Sequence, residues 1–476
     1  LVTGTSAFAI GANLTDLGGI KAGPTGGPVF IHHYGTGVLS INAPVKNVSP
    51  TINTDLIIAG TGVTRLLGSM SYLGTTAVLQ SATLEFTNVG ISGAGTLGLG
   101  IAAPVIIADG ATLRFANATA GTYTLAGATS ANSHTFTLPG GNARIDVPTA
   151  TVIFETSGAF SGAGGLTKSG AGTLQLRGAA NFEGPLIVSA GKVLIPVTNI
   201  IGDTVPVTIA TGAILEFADS DTFGSLSGTG TLNITGTAGR TVGLGQINTN
   251  STFSGALTGA GVAHSFAKRG SGVITMDMPA VSNWTGGNTY IDGGVIRIAT
   301  GRGQQFNPTA ALVVNHDSRS GIFDLNASQQ SIGALTFFNN PNSNINSQAF
   351  VLLGSEGRLT LGGNITVNAH IGTGTQTAGI IGTGNGASLV LGEAQRTFQV
   401  NKSLNLAPGE AELVVDARVL GGVLGGILKN GGGTLRLMGS FEMQGSVANR
   451  FEAGLTILDY TKAFTSAFDT NRLNPL

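Results

Sequence analysis

Lys168-Ser169-Gly170-Ala171-Gly172-Thr173-Leu174-Gln175-Leu176 sets a glycine corner against a run whose apolar residues alternate. Alternation at period two is what a strand with one buried face requires, and glycine accepts corner angles that a β-carbon resists. The pattern returns as Lys268-Arg269-Gly270-Ser271-Gly272-Val273-Ile274-Thr275-Met276 and as Lys429-Asn430-Gly431-Gly432-Gly433-Thr434-Leu435-Arg436-Leu437. Outward from the first two copies, Asn181-Phe182-Glu183-Gly184 answers Asn283-Trp284-Thr285-Gly286, and Gly191-Lys192-Val193-Leu194-Ile195 answers Gly293-Gly294-Val295-Ile296-Arg297. A second unit occurs at Val105, Ile107, Gly110, Ala111, Leu113 and Phe115 and again at Val207, Ile209, Gly212, Ala213, Leu215 and Phe217. A short unit that cannot bury its own apolar face has to stack on its neighbours, so these repeats predict a solenoid.

In such a coil each strand carries one apolar face, each glycine corner turns the chain, and parallel strands of successive windings lie about 4.8 Å apart. The expected fold is an all-β parallel β-helix of about 20 coils, at roughly 20–25 residues per coil, running over residues 1–459. Gly170, Gly172, Gly270, Gly272, Gly431 and Gly433 are the expected structural corners, and Leu174, Leu176, Ile274, Met276, Leu435 and Leu437 the expected stacked core. Lys168, Lys268 and Lys429 recur at one repeat position. They are expected to stand outside their corners, keeping a nearly neutral surface soluble and blunting lateral strand pairing. Residues 460–476, with Phe464 and Phe468, read as a C-terminal cap or docking tail.

Composition points the same way and removes several function classes. Glycine contributes 76 of 476 residues, and the charged residues only 10%, against a typical ~25%. With 42% apolar residues and a net charge of -1, the chain can bury a core, which excludes charge-driven disorder. It has no dense Lys/Arg cluster, the electrostatic footprint that nucleic-acid binding needs, so no nucleic-acid partner is expected. No run reaches the ~18 apolar residues of a membrane helix. Zero cysteines exclude disulfides, thiolate metal sites and thiol nucleophiles. Twenty-two Phe against one Trp and five Tyr suit dry interior stacks better than sugar-binding surfaces. A start at Leu1 without a basic-then-apolar leader reads as a processed or excised piece of a longer precursor.

At its Lys-x-Gly-x-Gly segments the chain resembles the autotransporter-associated β-strand repeat of bacterial autotransporter passenger domains and related surface proteins. The resemblance is clearest at residues 166–195 and 266–298, and at 428–457 it holds at the start and at Ala453-Gly454-Leu455. It implies a right-handed parallel β-helix, exported and displayed on the outside of a bacterial cell. Because that family includes adhesins, proteases carried on the helix and purely structural rods, the repeat identifies a scaffold and an export route more than a function.

Motifs that carry chemistry are sparse. Gly93-Ala94-Gly95-Thr96-Leu97-Gly98 has the form of a dinucleotide-binding loop but lacks the following helix that would hold a pyrophosphate, so a solenoid corner is the expected reading. His32, His33, His134, His264, His316 and His370 follow no metal-binding spacing and are expected at the surface or at corners. Asp219-x-Asp221 and Glu410-x-Glu412 place acids at strand period two, on one face, a spacing that glycan cleavage or calcium binding can use and that solvated loops share. No catalytic, cofactor-binding or metal residue is expected.

The function read from these features is a non-enzymatic extracellular surface protein, a self-associating structural solenoid of a fibre, sheath or surface layer, with further copies of itself as partner. An adhesin for host, matrix or cell-surface glycans is one alternative and predicts exposed aromatic patches. A polysaccharide-cleaving β-helix enzyme is the other and predicts a groove with clustered Asp, Lys and Arg.

Overall fold

The computed structural model describes residues 3–11, 19–87, 99, 104–125, 134–259, 263–279, 287–315, 320–338, 346–407, 409–444, 447–459 and 473–474. Among them the regular elements are strands, paired in parallel in sheets of up to 19 strands. This is the parallel β-solenoid that the repeats predict, with one strand of the largest sheet to each winding. The tail at 460–476, apart from the short strand Leu473–Asn474, lies outside the described residues, as do residues 93–98 and 283–286 and His316.

The chain divides into two compact units, residues 1–224 with 228–233, and residues 225–227 with 234–476. In the first unit a winding has three faces, exemplified by the strands Phe160–Gly162, Gly165–Ser169 and Thr173–Leu176. The next winding lays Ala180–Phe182, Leu186–Val188 and Lys192–Ile195 on them in register, so that Phe160 meets Ala180, Leu166 meets Leu186 and Leu174 meets Val193. The second unit coils the same way: Ile365–Val367, Gln376–Gly382 and Ser388–Val390 are followed by Gln395–Val400, Leu413–Asp416 and Arg418–Gly421.

Alternation decides what goes inside. Leu174, Leu176, Ile274, Met276 and Leu435 are fully buried and Leu437 nearly so, while of the residues between them Thr275 and Arg436 are half-buried and Gln175 is covered, bonded to Glu155. The phenylalanines supply the widest stacks, as with Phe136 over Phe160 at 4.3 Å between ring centres and Phe115 over Phe154 at 5.0 Å. Such rings remove large apolar areas from water without a polar group that needs a partner.

Gly170, Gly270 and Gly431 adopt left-handed φ of +75°, +65° and +79°. Gly172, Gly272 and Gly433 serve differently, by close approach: a β-carbon on Gly172 would stand 2.5 Å from the Thr149 carbonyl oxygen, and one on Gly272 2.3 Å from that of Thr249.

Candidate functional site

The three repeat lysines do not stand in solvent. Lys168 and Lys429 are 0% exposed and Lys268 is 1% exposed, which overturns the expectation that they solubilise the corners. Each begins on the last strand positions before its corner and turns inward, because the glycines that follow leave room for an ammonium among backbone carbonyls. The Lys168 Nζ donates to the carbonyls of Ser169 at 2.6 Å, Gly170 at 2.8 Å and, from the next winding, Ala190 at 3.3 Å. Lys268 repeats the arrangement with Arg269 at 2.5 Å, Gly270 at 2.9 Å and Gly293 at 3.3 Å. Lys429 donates to Gly431 at 2.7 Å and Ala453 at 2.6 Å.

The carbonyl from the next winding always precedes a left-handed glycine, Gly191, Gly294 or Gly454. A β-carbon on Gly294 would meet the Gly272 and Gly270 carbonyl oxygens at 2.4 and 2.5 Å and the Lys268 Nζ at 2.8 Å, and Gly454 stands the same way over Gly433, Gly431 and Lys429. The widely separated pieces of the sequence repeat are therefore one clasp: lysine, corner glycines, and the glycine of the following winding that closes over them. An ammonium has three donors and no acceptor, which matches a cage of carbonyls. Burial pushes the Lys168 and Lys268 amines down to about 8, opposed by the charges of Asp146 and Asp292, and it lowers Lys429 against the charge of Glu412. With all three donors on the backbone, the Lys168 and Lys268 clasps tie winding to winding and leave none to hold a ligand, and Lys429 ties its winding to the next through two such bonds.

Outward-facing charges form a second arrangement. Arg65, Glu85, Arg114 and Asp146 occupy one register position on four successive windings. Arg65 pairs with Glu85, whose other oxygen lies 3.4 Å from Arg114, and Arg114 Nε donates to Asp146 at 2.7 Å. Together they line a groove of about 450 Å³. Stacking thus collects acids and bases in a groove, the feature predicted for a polysaccharide-cleaving enzyme, and pairs each acid with an arginine. The sequence reading missed this ladder. Its signal was the middle position of Thr83-Leu84-Glu85-Phe86 and Leu113-x-Phe115, where Glu85 and Arg114 alternate in charge.

The expected carboxylate pairs separate. Asp221 is buried and accepts the amide N–H groups of Ile200 at 3.0 Å, Ile201 at 3.1 Å and Thr222 at 2.7 Å, while Asp219 caps its own neighbour Ser220. Burial raises Asp221 to about 6 against those amides. Glu412 is buried and accepts Ser403 N–H at 3.0 Å and Thr434 N–H at 2.6 Å, whereas Glu410 is exposed. Asp219 is half-buried and Glu410 exposed, while the inner member of each pair is taken up by backbone amides and is not free to flank a substrate; the inner acids serve turns whose amides strand pairing leaves open. The histidine expectation is corrected in its surface part: His33, His134, His264 and His370 lie outside the named strands, at connections, but are buried, and only His32 of the adjacent pair reaches solvent. His32 stacks there between Phe30 and Tyr34, with ring centres 6.1 and 6.4 Å apart. Among the described residues no three His, Cys, Asp or Glu side chains gather as a metal site.

No family model matches the chain, and no solved structure matches it. Over 181 residues, 37% of its length, the chain is 34% identical to the Adhesin BmaC autotransporter of Brucella suis biovar 1 (strain 1330), and it spans 5% of that protein. This similarity, joined to the stacked parallel sheets and the corner repeat, fits a passenger domain of a bacterial autotransporter.

Proposed function

We propose that this chain is a non-enzymatic, adhesive stretch of a cell-surface passenger domain, exposed outside the bacterial cell. The observation that carries the reading is the 34% identity over 181 residues to an autotransporter named as an adhesin. The fold supports it in physical terms, because a coil closed by backbone ladders and internal clasps leaves its outer faces free to vary without cost to the core. Beads coated with the chain are expected to adhere to epithelial monolayers or extracellular matrix. Retention no greater than that of albumin-coated beads would overturn the reading.

A second reading, self-association into a fibre or sheath, draws on the same kind of exposed aromatic patch that the adhesin alternative predicts, since such a patch serves a second copy of the chain as well as a host surface. Phe30 and Tyr34 are 57% and 51% exposed and form a continuous ladder with His32 on and just beyond the strand Gly27–His32. Exposed aromatic groups arranged contiguously mark contact surfaces more often than solvated ones.

A further inference from the structure

A second groove, of about 640 Å³, lies in the second unit and differs from the charge-paired one in chemistry. Its floor is rigid. Gln330 is buried, donates to the Gly303 carbonyl at 2.7 Å and the Ser328 hydroxyl at 3.2 Å, and accepts Gln305 N–H at 2.9 Å. Gln305 in turn accepts Met278 N–H at 2.8 Å and donates to the Met278 carbonyl at 3.2 Å, so side-chain amides continue the backbone ladder across three windings. Gln304 closes on Ser331 in both directions, at 2.6 and 2.8 Å.

Above this floor the outward positions carry groups that the fold does not use. Gln329 and Arg358 are register partners on the strands Gln329–Ile332 and Arg358–Leu361, both exposed, and neither side chain has a hydrogen bond or ion pair among the described residues. Arg302, on the far rim, is held by Asp277 at 2.5 Å. No carboxylate occurs among the described lining residues, so the groove presents one uncompensated guanidinium, an exposed amide and the hydroxyls of Ser331 and Thr360. The rim is also strained: Asn326 and Ala327 both take left-handed φ, of +47° and +64°. Alanine holds such an angle at a cost of about 1–2 kcal/mol, and strain of this kind collects where a surface is shaped for a ligand.

We propose that this groove is a binding subsite for an acidic oligosaccharide, a glycan bearing carboxylate or sulfate groups. Arg358 takes the anionic group through its planar fork, and Gln329, Ser331 and Thr360 meet hydroxyls along the chain. Rows of polar groups repeating at the strand spacing of about 4.8 Å suit a polymer of hexose-sized units. The inference rests on the adhesive reading above and names its ligand class.

The test is calorimetric titration of the full chain with a heparin-derived hexasaccharide, an oligogalacturonate hexasaccharide, uncharged cellohexaose and inorganic sulfate. Binding of at least one anionic hexasaccharide is expected, weakened at least tenfold by Arg358→Ala and less by Arg358→Lys, with thermal melts unchanged, as befits an exposed side chain. Failure of both anionic hexasaccharides to bind, equal binding of cellohexaose, sulfate binding as tightly as either oligosaccharide, or an Arg358→Ala protein with wild-type affinity would each overturn the subsite. Bead adhesion measured in parallel keeps the two ideas apart. Adhesion that survives Arg358→Ala removes the groove as its cause and leaves the adhesive function standing.

Discussion

Alanine at Gly170 and alanine at Gly212 separate two costs that glycine corners combine. Both residues take nearly the same left-handed φ, +75° and +77°. Holding a β-carbon at that angle costs about 1–2 kcal/mol, of which about 0.4–1 kcal/mol is returned by stiffening the unfolded chain. Gly212 has nothing within 4 Å of the added carbon, so Gly212→Ala should cost about 1 kcal/mol. At Gly170 the carbon would stand 2.3 Å from the Val147 carbonyl oxygen and 2.7 Å from Asp146 Oδ1. Ordinary contact begins at 3.4 Å, so the adjacent winding has to retreat by about 1 Å. That movement stretches three hydrogen bonds at once: Gly172 N–H to Val147 at 2.8 Å, Val147 N–H to Ser169 at 3.1 Å, and Ser169 Oγ to Asp146 at 3.0 Å. At about 1 kcal/mol each the extra loss is about 3 kcal/mol, and Gly170→Ala should cost about 4 kcal/mol in all. Amide hydrogen exchange, read on peptides covering residues 165–193 and 205–217, measures both against the unsubstituted chain. The difference predicts local opening on the order of 100-fold more frequent around residue 170 than around residue 212. Protection lost equally by the two variants, within a factor of about three, would refute the close-approach argument and reduce both corners to backbone strain.

The buried lysines make stability depend on alkaline pH with a definite sign. Lys168 and Lys268 release their protons near 8 in the folded chain and near 10.5 when unfolded. Between those values the unfolded chain holds more protons, so stability should rise as pH increases from 8 toward 10.5. In a Lys168→Met/Lys268→Met protein that rise should shrink; urea titrations at pH 7.5, 9 and 10 with parallel slopes for the two proteins would contradict the clasp. If the aromatic ladder joins copies of this chain, Phe30→Ser/Tyr34→Ser should move sedimentation toward the monomer, and an unsubstituted chain that sediments only as monomer at high concentration dismisses self-association.

Legibility followed the range of the physics. The β-runs around Leu174, Ile274 and Leu435 could be read because burial on one strand face imposes a pattern two residues long, and that pattern is complete within the run. The clasp was visible only in pieces. Lys168, Gly170 and Gly191 were each singled out, but a lysine beside glycines looks the same whether it points out or in. What decides is whether carbonyls from two windings converge on it, and Ala190 is 22 residues away. The carboxylates failed for a related reason. Period two places Asp219 and Asp221 on one face only if the strand continues through both; the strand Asp221–Phe223 begins at the second of them, so the turn sends one inward and leaves the other beside it.

The second repeat unit shows where the local code ends. Val105–Ile107 pairs with Thr76–Val78 and Phe136–Thr137, whereas its counterpart Pro206–Ile209 pairs with Leu186–Val188 in the sheet that holds Thr112–Phe115. Stretches 105–115 and 207–217, which share seven of eleven residues, thus lie on different faces of the first unit. By itself the sequence determined that this chain winds into parallel β-coils and which apolar side chains its three repeat runs bury, because glycine angles and alternating burial act over a few residues. Tertiary structure alone decided which face each strand occupies, that the repeat lysines turn inward, and which charges become neighbours. Those outcomes depend on the length of every intervening winding, and no short stretch of sequence contains that sum.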